Sequence, residues 1–166
     1  MKSPQARAAA LAVEAHGSQK YGNRPYVSHL VRVVETLHQF GVVTEELETA
    51  GWLHDVVEDT ATTLDTLRLE FGDRVADLVH AVTTEPGPTR EDRNLLTYPK
   101  IRATPGATVL KLCDRIANVE TCWETRSRKL FMYHREYPGF RSALCDDADH
   151  QSLAVWEHLD QLLAHF

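Results

Sequence analysis

An all-α bundle is the fold class that this sequence predicts. Helix caps and helix stops recur along the whole chain, the apolar residues between them are spaced by three and four, and strand signals are scarce. Ser3-Pro4 opens a helix through the Ala8–Ala15 run that stops at Gly17. Residues 18–28 (SQKYGNRPYVS) form a polar loop closed by Pro25. From His29 the segment HLVRVVETLHQF carries Leu30, Val33, Val34 and Leu37 as one helical stripe, ending at Gly41. Thr44 with Glu45 and Glu46 gives an N-cap and an acidic first turn to a helix expected to run through Val57. Thr63 starts a helix ending at Gly72, and Asp73 starts another through Val82. Residues 84–94 (TEPGPTREDRN) have the composition of a surface loop. A short helix around Leu95–Arg102, interrupted near Pro99, leads to a buried amphipathic helix from Ala107 to Trp123. Two more helices are expected at about 127–147, broken near Pro138-Gly139, and at about 150–165.

The chain has 166 residues and contains no internal repeat, low-complexity tract or linker, so a single domain spanning 1–166 is expected. A net charge of -6 lacks the basic footprint of a nucleic-acid binder, and any anionic ligand must meet locally concentrated Lys and Arg. Cys113, Cys122 and Cys145 form no CxxC pair and read as reduced thiols. The opening MKSPQARAAALAVEAHG has no signal-peptide apolar run, and no stretch approaches the ~20 apolar residues of a membrane span. The expectation is a cytoplasmic protein with no membrane or nucleic-acid partner, and its oligomeric state is not legible here.

Chemistry concentrates in His54-Asp55-Val56-Val57-Glu58-Asp59-Thr60. On a continuous helix His54 would sit above Glu58, and Asp55 above Asp59. Three carboxylates that close repel one another, and a divalent cation is the simplest compensation. Imidazole and carboxylate together suit Mn, Fe or Zn rather than Ca. Further ligand candidates are His29, fixed behind Pro25-Tyr26, and Asp114, within the mostly apolar VLKLCDRIANV. Each has a plainer reading: an acidic run is a solvated face, His29 is a capping or packing histidine, and Asp114 is an ion-pair partner of Arg115 or Lys111.

AVEAHGSQKYGNRPYVSH, GWLHDVVEDTATTLDTLRLEFGDRVADLVHAVT and VLKLCDRIANV together resemble the HD-domain superfamily. Within it, they are similar to the hydrolase domain of RelA/SpoT homologues and to small alarmone hydrolases. The resemblance covers most of residues 8–125. It implies a compact HD-domain helical bundle, one Mn2+ bound by His29, His54, Asp55 and Asp114, and a catalytic pair at Glu58 and Asp59. It also implies removal of the 3′-diphosphate of (p)ppGpp or a related nucleotide, giving GDP or GTP and pyrophosphate. In that mechanism Glu58 and Asp59 orient the attacking water and shuttle its proton; the alternative is that they support a ligand histidine. Asn118 matches a position that contacts the nucleotide sugar, and Lys20 one that holds the base.

Other candidate substrate contacts are Tyr21 and Arg24 in the entry loop, Lys100, which resembles a phosphate-contacting lysine, and Lys129 with Tyr133, four residues apart. Lys111 lies one turn before Asp114. The sequence departs from the family at Lys20-Tyr21-Gly22, where many members have Arg-Lys-Ser, at Ala117, and in a shorter segment between Lys100 and Asp114. These departures keep open (p)ppApp or the 2′-phosphate of NADPH as substrates. A non-catalytic nucleotide-binding or immunity protein is a further alternative, opposed by the intact ligand set. His16, His38, His80, His134, His150, His158 and His165 are expected to be structural or surface residues.

Overall fold

The computed structural model describes residues 2–146 and 149–164. In chain order the elements are α1 (Pro4–His16), a ribbon of β1 (Lys20–Tyr21) and β2 (Arg24–Pro25), α2 (Val27–Gln39), α3 (Glu45–Leu53), α4 (Val56–Asp59), α5 (Leu64–Phe71) and α6 (Asp73–Val82). α7 (Arg90–Ala103), α8 (Ala107–Thr125), α9 (Lys129–Leu144) and α10 (Leu153–Ala164) follow. The all-α expectation holds, since the two-residue strands are the only sheet among the described residues. No described helix is long and apolar enough to cross a membrane.

The caps read from the sequence close the helices they were assigned to. Ser3 Oγ accepts the N–H of Ala6, Thr44 Oγ1 that of Leu47 and Thr63 Oγ1 that of Thr66, each at 3.2 Å. At the centre lies α8, whose Leu110, Leu112, Ile116 and Ala117 have no exposure. Around it pack α2, α3, α6, α7, α9 and α10. Leu30, Leu37, Leu53, Leu78, Ile101, Phe140 and Leu159 complete a dry interior, each buried side chain of this kind contributing about 1.5–3 kcal/mol.

Four local expectations are corrected. The helix from Thr44 does not reach Val57: it ends at Leu53, and His54 and Asp55 form a turn before α4, with the imidazole of His54 bonded back to the carbonyl of Gly51. The loop at 84–94 ends early, because Thr89 and Asp92 exchange hydrogen bonds in a capping box that starts α7 at Arg90. Both α7 and α9 pass through their prolines; Pro99 and Pro138 are exposed, where water can serve the carbonyl that loses its N–H donor. The polar loop at 18–28 contains the β-ribbon. Position 147 of the helix expected at about 127–147 and position 165 of the one expected at about 150–165 lie outside the described residues.

α3 and α2 meet at Gly51, where a Cβ would stand 3.2 Å from both Leu37 Cδ1 and Val34 Cγ2. Gly51→Val is therefore expected to destabilise the protein by about 1–3 kcal/mol through overpacking, read as a lowered melting temperature in thermal denaturation; an unchanged or raised melting temperature would contradict this packing.

Candidate metal centre

Three separate pieces of the chain deliver the polar side chains. α2 presents His29 from its first turn, the break between α3 and α4 presents His54 and Asp55, and α8 presents Asp114 from a mostly apolar stretch. His29 and His54 are 3% and 2% exposed, so neither nitrogen pair is served by bulk water. The two Nε2 atoms face each other at 3.3 Å. Asp55 Oδ2 lies 3.0 Å from His54 Nε2 and 3.5 Å from His29 Nε2. Asp114 Oδ1 lies 3.3 Å from His29 Nε2 and 3.8 Å from His54 Nε2. The residues that the sequence nominated as ligands thus meet in space, with one ligand atom each from His29, His54 and Asp55 within 4.8 Å of one another.

Supporting hydrogen bonds orient the group. His54 Nδ1 donates to the carbonyl of Gly51 at 2.8 Å, which leaves its Nε2 lone pair directed at the carboxylates. Tyr26 donates its hydroxyl to Asp55 Oδ2 at 2.6 Å. Lys111 Nζ lies 2.9 Å from Asp114 Oδ2, so the ion pair considered for Asp114 forms, but on the oxygen that does not face the histidines. Arg115 turns instead to Glu136, at 3.3 Å.

Two imidazole nitrogens packed 3.3 Å apart beside two carboxylates favour positive charge among them. The ionisation of the group registers that demand. Burial alone would push His29 down, but the hydrogen bonds and charges of Asp114 and Asp55 outweigh it and raise its pKa to about 9. Burial likewise works against His54, whose pKa is raised by Asp55. Burial would push Asp55 up, yet the two histidines hold it well below the ordinary carboxylate range, and Lys111 with the same histidines does so for Asp114. Two nitrogen and two oxygen donors of this kind fit a divalent transition cation and not a hard all-oxygen site.

His29, Asp55 and Asp114 line a polar cavity that is completed by residues of α7, α8 and α9. Of the candidate substrate contacts, Tyr21, Asn118 and Tyr133 line this cavity, as does Glu58, whose Oε2 accepts the backbone N–H of Thr84 at 2.9 Å. The others are elsewhere. Lys20 is exposed on β1, Arg24 pairs with Glu124 at 3.6 Å, and Lys129 is exposed at the start of α9. Lys100 donates to the carbonyls of His80 and Thr83 at 3.1 and 3.0 Å and pairs with Glu85, so its ammonium ties down the end of α6. Asp59 accepts from Gln19 Nε2 at 2.9 Å and lies outside the cavity wall.

The cavity's cations are Arg90, Arg93, Lys111 and Arg115. Arg90 and Arg115 both bond to Glu136, while Arg93 has no ion-pair partner among the described residues. Arg90 and Arg93 are hidden in the sequence because residues 84–94 have the composition of a loop. The signal that could have found them is the Thr89-x-x-Asp92 capping box, which puts both at the start of a helix. His16, expected to be structural or surface, is buried; it bonds to Gln19 at 2.8 Å and stacks on Tyr26 with centroids 4.2 Å apart.

A helical bundle that brings a histidine, a His-Asp dipeptide and a later aspartate to one point defines the HD-domain class. The HD domain model matches residues 6–137, and the chain belongs to this family. More particularly, it is 39% identical over 128 residues, 74% of its length, to a guanosine-3′,5′-bis(diphosphate) 3′-pyrophosphohydrolase of Aquifex aeolicus. It is 38% identical over 97 residues, 57% of its length, to the human protein of that name called MESH1. The matched regions span 18% and 54% of those two relatives. Among solved structures, a metazoan SpoT orthologue described as hydrolysing ppGpp shares the fold with a TM-score of 0.80 at 22% identity, covering 99% of this chain and 96% of that one. The lmo0812 protein of Listeria monocytogenes has a TM-score of 0.71 at 26% identity, covering 85% of this chain and 96% of that one.

Because the carboxylates raise the pKa of His29 to about 9 and raise that of His54 with it, and a ligating imidazole nitrogen must be free of its proton, Mn2+ binding to the chelator-stripped protein is expected to release protons at pH 7 and to tighten as pH rises toward 9. Calorimetry in two buffers of different ionisation enthalpy measures this; identical heats in both would contradict it.

Proposed function

We propose that this chain acts as one domain that hydrolyses the 3′-diphosphate of (p)ppGpp or a closely related alarmone, giving GDP or GTP and pyrophosphate. In this reading His29, His54, Asp55 and Asp114 hold one Mn2+. The observation that carries it is a single cavity that brings His29, Asp55 and Asp114 together with Arg90, Arg93, Lys111 and Arg115, in a chain whose net charge is -6. A multiply charged anion is what such a local excess of cations attracts. The names of the relatives support the same substrate class.

When bound, a divalent cation supplies Lewis acidity and lowers the pKa of water toward ~7. The water oxygen forms a bond to the phosphorus attached to the 3′ oxygen, the phosphorus–3′ oxygen bond breaks, and the 3′ oxygen gains a proton. Glu58 is assigned the proton transfer. One of its oxygens is held by the N–H of Thr84, and the other remains available to take the proton of the attacking water and return it. Asp59 is assigned a supporting role, since its carboxylate holds Gln19, which in turn holds His16 against Tyr26, the donor to Asp55. Arg93, with an uncommitted guanidinium, and Arg90 with Lys111 take over the phosphate-contacting role first sought in Lys100 and Lys129. Tyr133 sits on the face of Arg115 at 4.8 Å and closes the same wall.

Mixing purified protein, Mn2+ and ppGpp is expected to yield GDP and pyrophosphate, and Glu58→Gln to lower kcat by about 10²–10⁴-fold with Mn2+ still bound. The same assay run on ppApp and NADPH sorts the base and phosphate preference. Intact ppGpp at micromolar enzyme would overturn the alarmone assignment, and full activity in Glu58→Gln would overturn the role of Glu58.

A further inference from the structure

The two histidines are not held alike. His54 is anchored through Nδ1 to a carbonyl, but His29 Nδ1 is buried and has no hydrogen-bond partner among the described residues. A histidine that binds a metal almost always uses its second nitrogen to fix the ring, so some other contact must set the rotation of His29. Tyr21 covers that ring face to face, with centroids 4.7 Å apart and planes inclined by 22°, while Tyr26 touches it edge-on at 5.9 Å.

The hydroxyl of Tyr21 reaches the second α2–α8 ligand by a different route. It donates to Asn118 Oδ1 at 2.5 Å. Asn118 Nδ2 then donates to Asp114 Oδ1 at 2.6 Å and to the carbonyl of Asp114 at 2.9 Å. With its oxygen taken by Tyr21, the Asn118 amide has one satisfying orientation: reversed, it would set oxygen against the carboxylate of Asp114. The ribbon makes Tyr21 rigid enough for this task. Tyr21 pairs with Arg24, Tyr26 N–H bonds to the carbonyl of Gln19 at 3.0 Å, and Gly22 accommodates the turn at φ +60°.

We propose that Tyr21 is a positioning residue of the metal centre: its ring fixes the imidazole of His29, and its hydroxyl, relayed by Asn118, fixes the carboxylate of Asp114. This rests on the reading of the site as a divalent-cation centre. Asn118 accordingly serves Asp114 first, with one lone pair of Oδ1 left for a nucleotide.

The test measures Mn2+ affinity of the chelator-stripped protein by calorimetry, with free Mn2+ checked by its electron paramagnetic resonance signal. Tyr21→Phe keeps the ring and loses the relay, and is expected to weaken binding about tenfold; Tyr21→Leu loses both and is expected to weaken it about a hundredfold. Tyr21→Phe is expected to leave the melting temperature of the metal-free protein close to the wild-type value, separating positioning from general support. In an Asn118→Ala background Tyr21→Phe is expected to cost no further affinity, because the relay is already broken. Wild-type affinity in both Tyr21 variants, or an undiminished tenfold loss in the Asn118→Ala background, would overturn the proposal while leaving the metal centre intact. A wild-type protein that binds no Mn2+ would overturn the metal reading itself.

Discussion

Two buried imidazole nitrogens 3.3 Å apart, bracketed by two carboxylates, are unstable as a group unless positive charge sits among them. The rest of the molecule is arranged around that requirement. Without a metal the positive charge is protons, which is why His29 and His54 are raised while Asp55 and Asp114 are lowered. Tyr26 and Asn118 donate to Asp55 Oδ2 and Asp114 Oδ1, the same oxygens that face the histidines, while Lys111 pairs with the other oxygen of Asp114, so all three add to the same charge balance.

The fold's contribution is to make three distant segments converge and to keep them rigid. α8 carries Asp114 through the middle of the bundle, where Leu110, Cys113, Ala117 and Ile116 are fully buried and leave the helix no freedom to shift. Close contact of α3 with α2 at Gly51 brings the carbonyl that anchors His54 next to the helix that carries His29. The same α8 also supplies Lys111, Arg115 and Asn118, so one helix lines both the anionic and the cationic wall of the cavity.

Much of the fold was legible because its signals are local. Ser3, Thr44 and Thr63 are capping residues whose bonds close within three positions, and Gly17 and Gly72 end helices at positive φ. The departures arise where composition conceals a short-range bond, as at Thr89–Asp92 and His54–Gly51, or where exposure decides the outcome. His54-Asp55 looks like the middle of a helix by composition; the turn there is stabilised by the imidazole's bond to Gly51 and by partners on α2 and α8. Pro99 and Pro138 read as breaks, yet their exposure lets the helices continue.

The site divides in the same way. The His54-Asp55 cluster stands out by charge crowding, and His29 and Asp114 as candidates by residue type and setting, whereas joining all four into one ligand set rests on family resemblance, because no local pattern links residues 25 and 60 positions away. Lys100 and Arg93 illustrate the remainder. Both are cations on α7, and sequence cannot say which one turns to the cavity and which is consumed by the carbonyls at the end of α6. The most direct measurement of the central claim is an anomalous difference map from crystals grown with Mn2+. One peak bonded by His29, His54, Asp55 and Asp114 is the expected result; a cation bound elsewhere, or by a set that leaves out Asp114, would contradict it.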